Sequence, residues 1–227
     1  HGNRYDIGRS ELLNGNSTLQ SPPYGQALAN LGYLTLCIDM PCFGERQQQT
    51  EDSLSKSCLW QGTTLIGQML KELAAAISYL VSRDDVDSSR LATLGMSMGA
   101  THAYWLAALD NSIKAVVHLC VFSNFAPLIA TGAHNEHGSY LTVPGLLQEY
   151  DAGDIAGMIA PRPQLICIGE QDALTPSQAL SPALKTVFSA YKQSGKDNLK
   201  FVLSKETAHV ETEYFRQTVL EFLQEHL

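Results

Sequence analysis

Five short apolar runs, set between longer stretches of helical spacing, constrain this chain more than any other feature. They are Tyr33 to Ile38, Leu91 to Leu94, Ile113 to Phe122, Gln164 to Ile168 and Leu199 to Leu203. A strand that is apolar on both faces has no side to turn to water, so it must be covered twice. Parallel strands joined by crossover helices meet that demand. The intervening segments supply the helices. From Thr63 to Ser82, Ile66, Leu70, Leu73, Ile77 and Leu80 recur at helical spacing. Gln178 to Tyr191 reads as a helix, and Phe215, Val219, Phe222 and Leu223 give a final helix one apolar face. Ser21-Pro22-Pro23 opens a short helix that Gly32 closes. Asp39 to Gly62 is polar and glutamine-rich and reads as a loop. Residues 123–163 are long and mixed and read as a short cap-like insertion. The pattern predicts one α/β domain over residues 1–227, a mostly parallel sheet with helices on both faces.

Charge and cysteine usage exclude several classes. A formal charge of −8 disfavours a nucleic-acid or anionic-membrane surface. No apolar run reaches the roughly 18–20 residues of a membrane span. His1-Gly2-Asn3-Arg4 has neither a charged nor an apolar leader segment, which makes a cytoplasmic location the expectation. Of the five cysteines, Cys37, Cys120 and Cys167 fall in apolar runs expected to be buried strands, whereas Cys42 and Cys58 fall in the predicted loop. The odd count, with no CxxC and no Cys/His pairing at zinc spacing, predicts neither a disulfide scaffold nor a metal site.

The chemistry concentrates at Gly95-Met96-Ser97-Met98-Gly99. A serine hydroxyl is a weak nucleophile until it is openly presented and a base takes its proton. Glycines two residues either side of Ser97 permit a sharp strand-to-helix turn that exposes the hydroxyl, and Met98 then offers an N–H to a developing oxyanion. His209, after the last strand, is the candidate base among seven histidines. His102 and His118 read as packed, His226 as solvated. Asp172, after the strand ending at Ile168, is the candidate acid, with Glu170 as runner-up. The early His1-Gly2-Asn3-Arg4 turn offers the Asn3 N–H as second oxyanion donor, with Arg4 as an electrostatic contributor. In the cap, His134, His137 and Tyr140, with Phe125 and Tyr150, are candidate pocket residues.

The order Ser97, Asp172, His209 is that of the α/β hydrolases. The chain resembles their dienelactone hydrolase and acetyl xylan esterase-like branch. Besides the elbow, His1-Gly2, Asp39 to Arg46, Val86-Asp87 before Arg90-Leu91, Pro144-Gly145-Leu146, Ile159 to Pro163, and Gly169 with Asp172 and Pro176 carry the likeness. The resemblance implies an α/β-hydrolase fold and no metal or cofactor. It also implies strands before the His-Gly turn, which this sequence lacks. Ser97 stands where typical dienelactone hydrolases carry cysteine, which favours ester hydrolysis over dienelactone opening. The expectation is a serine esterase acting on a small-molecule ester with a small acyl group such as acetyl. A peptidase or thioesterase on the same triad, and a degenerate hydrolase kept as a binding protein, are the alternatives. An unpaired sheet edge makes a homodimer plausible.

Overall fold

The computed structural model describes residues 1–227. In chain order, α1 is Glu11–Asn14, α2 Tyr24–Ala29, α3 Glu51–Trp60, α4 Leu65–Val81, β1 Leu91–Met96, α5 Met98–Leu109, β2 Ile113–Leu119, α6 Phe125–Thr131, α7 Ala152–Gly157, β3 Gln164–Gly169, α8 Ser177–Ser194, β4 Leu199–Ser204 and α9 Glu213–His226. The sheet runs β1-β2-β3-β4 with every pair parallel. Parallel strands present all their carboxyl ends at one edge, so the loops after β1, β2, β3 and β4 share one rim.

Alternation along the strands sorts side chains into two cores. Val116, Ile166 and Ile168 face α5, α7 and α8 and join Tyr104, Ala156 and Val187. Val117, Leu119, Leu165 and Cys167 face the opposite way and pack against Phe215, Val219 and Phe222 of α9. Each fully buried side chain of this size stabilises by about 1.5–3 kcal/mol. Both faces of the sheet are thus covered, as the continuous apolar runs demand.

Three expectations are corrected. Tyr33 to Ile38 forms no strand, and Leu34 and Leu36 are exposed. A ladder needs a partner about 4.8 Å away. Here a groove intervenes, walled by Leu36, Cys37 and Ile38 on one side and Ala92 to Met96 of β1 on the other. Cys37 is accordingly half-buried rather than a core strand residue. Second, the segment read as loop from Asp39 to Gly62 contains α3. Thr50 caps it, accepting the Ser53 N–H, and Glu51 and Asp52 lie in its first turn where the helix dipole favours them. His226 is half-buried and meets the Phe222 ring edge-on at 4.5 Å rather than standing free in solvent. No single helix is long and apolar enough to cross a membrane.

Candidate active site

Ser97 sits between β1 and α5 with φ 58° and ψ −122°. That is a costly conformation for a residue with a Cβ, of order 1–3 kcal/mol, and it persists only where packing enforces it. The packing is visible in the two flanking glycines. A Cβ on Gly95 would lie 2.0 Å from the Gly99 carbonyl oxygen, and one on Gly99 would lie 2.9 Å from that of His1. The Ser97 N–H donates to Leu119 O at 2.9 Å, tying the elbow to the end of β2.

The second half of the site comes from the loops after β3 and β4. The loop after β4 crosses back over the sheet rim. A Cβ on Gly169 would touch both Thr207 O and Ala208 O at 2.4 Å. Cys120, one residue past β2, sends its Sγ to Val210 O at 3.6 Å. The crossing carries His209 from β4 across the end of β3 towards β2. There its Nδ1 lies 2.8 Å from Asp172 Oδ2. Asp172 is almost fully buried, and its Oδ1 accepts the Leu174 N–H at 2.9 Å. With one carboxylate oxygen held by backbone, the other is aimed at the imidazole. Glu170 is exposed and bonds no side chain, so of the two carboxylates Asp172 is the one that meets the imidazole. No hydrogen bond joins Ser97 Oγ to His209 Nε2 in this structure.

The early turn lies against the elbow. A Cβ on Gly2 would stand 3.9 Å from Ser97 Cβ. The Gly2 carbonyl accepts from His1 Nδ1 at 2.8 Å and from the Arg4 N–H at 2.9 Å. His1 Nε2 accepts the Met40 N–H at 3.1 Å, which fixes the proton on Nδ1. Across a trans peptide the C=O and the next N–H point oppositely. Anchoring the Gly2 carbonyl therefore turns the Asn3 N–H the other way, where it meets no protein acceptor. Met98, as first residue of α5, has no intrahelical partner for its own N–H.

The remaining candidates divide. His137 is half-buried beside Asp172 and His209. Burial holds its imidazole below the usual pKa, and Asp172 and His209 both lie close enough to act on it electrostatically. Its Nε2 is enclosed without a partner. Arg4 is exposed at the rim and pairs loosely with Asp6 at 3.4 Å. His134 and Tyr150 are exposed and Phe125 is half-buried. Tyr140 is a core residue, its ring 5.6 Å from that of His102 and its N–H on Glu51 Oε1. Because its ring is spent on packing, Tyr140 does not present a free face to a ligand. His102 and His118 are buried as expected, with pKa values driven down to about 3 by desolvation. The Cys120 thiol is pushed up by burial, which leaves it inert beside the elbow. Two buried carboxylates that no motif marks, Glu11 and Glu211, hold the backbone on either side of the site. No group of three or more His, Cys, Asp or Glu side chains is arranged to hold a metal ion.

A model of the dienelactone hydrolase family matches residues 18–131. YtaP of Bacillus subtilis (strain 168), given provisionally as a hydrolase, is 37% identical over 227 residues, all of this chain and 76% of YtaP. Among solved structures, a protein of Bacteroides fragilis NCTC 9343, given provisionally as an acetyl xylan esterase, superposes with a TM-score of 0.69. The two are 18% identical, over 92% of this chain and 62% of that one. A glucuronoyl esterase from Solibacter usitatus gives a TM-score of 0.57 at 18% identity, over 71% of this chain and 48% of its own. This chain therefore spans less than two thirds of the length of these two solved proteins, and the likeness establishes a shared α/β-hydrolase fold.

Proposed function

This chain belongs to the dienelactone hydrolase family, and from that premise we propose that it hydrolyses a carboxylic ester through an acyl-enzyme on Ser97. One observation carries the reading. The Asp172–His209 hydrogen bond stands on the same sheet rim as a strained, half-exposed serine.

In this reading Ser97 Oγ attacks the ester carbonyl while His209 Nε2 takes its proton. Asp172, bonded to Nδ1, fixes the tautomer and stabilises the imidazolium. The N–H groups of Met98 and Asn3 receive the negative charge that develops on the carbonyl oxygen. The tetrahedral adduct collapses, and His209 returns the proton to the departing alcohol. Water, deprotonated by the same imidazole, then cleaves the acyl-enzyme and releases the acid. His209 closes on Ser97 when substrate binds, a tightening common to sites without ligand. His137 and Arg4 line the substrate side of this site. The cap from 123 to 163 is short, built from α6, α7 and brief 3-10 turns, which favours a small acyl group such as acetyl.

A fluorophosphonate probe tests the chemistry, and a p-nitrophenyl ester series from acetate to dodecanoate tests the acyl group. The reading predicts a covalent adduct on Ser97, none on Ser97→Ala, and kcat/KM falling with chain length. An intact Ser97 in the labelled protein would refute the nucleophile. A rise towards dodecanoate would refute the small acyl pocket.

A further inference from the structure

Glu11 opens the short helix α1 and is buried, 7% exposed. Its Oε1 and Oε2 accept the Gly2 N–H at 3.1 and 3.2 Å, and Oε2 also accepts Asn16 Nδ2 at 2.6 Å. Asn16 is held in turn, its Oδ1 accepting the Thr18 N–H and hydroxyl, each at 2.7 Å. No cation pairs with this carboxylate: none of the ion pairs in the structure includes it. Burying a carboxylate without a counter-charge is expensive, and a folded chain keeps such a group where something depends on it.

What depends on it is one peptide. The turn from His1 to Arg4 contains two peptide planes beside Ser97. The Gly2–Asn3 plane is held through its carbonyl by the His1 ring and the Arg4 N–H. The His1–Gly2 plane is held through its N–H by Glu11 alone. Gly2 sits between them and has the widest backbone freedom of any residue. Without the carboxylate its dihedral angles are fixed from one side only, and the Asn3 N–H is aimed less tightly, by the carbonyl bonds alone. Glu11 also lies close to the reacting centre: a Cβ on Gly2 would be 3.4 Å from Glu11 Oε2 and 3.9 Å from Ser97 Cβ.

We infer that Glu11 is a positioning residue for the oxyanion site: by gripping the Gly2 N–H it aims the Asn3 N–H at the oxygen of the tetrahedral adduct. The inference rests on the serine-esterase reading. It requires an acceptor for the Gly2 N–H and not a negative charge as such, so glutamine, whose oxygen keeps that bond while its NH₂ gives up the Asn16 contact, should serve better than leucine.

The experiment compares Glu11→Leu, Glu11→Gln and Glu11→Asp with wild type on p-nitrophenyl acetate, each kcat normalised to fluorophosphonate-titrated sites. Glu11→Leu is expected to lose about 10–100-fold in kcat with KM within about twofold, the signature of a lost transition-state contact. Glu11→Gln, which keeps an acceptor for the Gly2 N–H and loses the Asn16 contact, should lie between wild type and Glu11→Leu. Glu11→Asp, one methylene short, should fall in kcat by about tenfold and keeps the test alive if the leucine variant does not fold. Unchanged kcat per titrated site in the leucine or aspartate variant, or a loss in KM alone, would overturn the inference. So would a glutamine variant as slow as the leucine one. Wild-type protein that takes no label at Ser97 would instead sink the esterase reading itself, which separates the two failures.

Discussion

Asp172 Oδ2 and His209 Nδ1 stand 2.8 Å apart, joining loops that leave adjacent strands β3 and β4. The partner oxygen of Asp172 is already committed to the Leu174 N–H. An amide at this position can keep that backbone bond with its oxygen, but it then offers an NH₂ to Nδ1 and forces the wrong tautomer. Asp172→Asn is expected to lower kcat by about 10³–10⁴-fold with little change in melting temperature. Glu170→Gln, on the exposed neighbour, should stay within about twofold. Steady-state kinetics on p-nitrophenyl acetate read both, and equal losses in the two variants would reject the assignment of Asp172.

The backbone at Ser97 stores strain that a glycine would relieve. With φ at 58° and ψ at −122°, a Cβ is costly there. Ser97→Gly should abolish ester hydrolysis while raising stability by about 1 kcal/mol relative to Ser97→Ala, which keeps the Cβ. Urea melts of the two variants make the comparison. A glycine variant no more stable than the alanine one would show that the elbow costs the fold nothing.

The strand-to-helix turn at Ser97 and the meeting of Asp172 with His209 were legible because the elbow declares itself through glycine spacing and the two partners through chain order along a parallel sheet. Residues whose role depends on approach from elsewhere were not. Glu11 acts on Gly2, and Glu211 acts on Gln20, 191 positions away in sequence. Nothing in their neighbours distinguishes them from surface acids. Tyr33 to Ile38 carries a strand's composition, but composition does not tell whether an unpaired edge lies within bonding distance. The helix from Glu51 to Trp60 was concealed by polar residues, although Thr50 with Glu51 and Asp52 is a capping signal. Tyr140 shares its residue type with pocket-lining aromatics, and only packing against His102 assigns it to the core.

Glu211 and Arg216 form a buried pair that ties the His209 loop to the rest of the fold. Glu211 is wholly buried and accepts Arg216 Nη2 at 2.7 Å, Arg216 Nε at 2.9 Å, the Gln20 N–H at 2.8 Å and the Tyr24 hydroxyl. Arg216 lies 3.8 Å over the Tyr24 ring and donates to Pro22 O and Gln20 O. Removing the guanidinium strands a buried carboxylate, so Arg216→Met should cost about 3–5 kcal/mol. Glu211→Gln in the same background should recover part of that loss, because the remaining group is neutral. Urea unfolding of the two single variants and the double variant gives the coupling. Strict additivity would mean that the two groups do not act as a pair.

Acid should destabilise this protein through buried histidines, His102 and His118 foremost. His102 and His118 are buried, and desolvation holds each at about 3 against an ordinary 6.5. His118 Nε2 lies 2.9 Å from Gln164 Nε2, so its nitrogen accepts from the amide, whose oxygen takes the Tyr191 hydroxyl. A proton there would set donor against donor. Above pH 6.5 both rings are neutral folded or unfolded, and pH does not act through them. Below 6.5 the unfolded chain binds two protons that the folded chain refuses, so stability falls continuously towards pH 3. The slope is about 1.4 kcal/mol per pH unit for each ring, or nearly 3 for the pair, a large share of an ordinary domain's total. His118→Asn removes one ring, so the slope between pH 6.5 and 4.5 should fall by about 1 kcal/mol per pH unit, whatever the variant loses at neutral pH. Urea midpoints at half-unit intervals measure it. A variant whose slope matches wild type would show that His118 already accepts a proton within the fold.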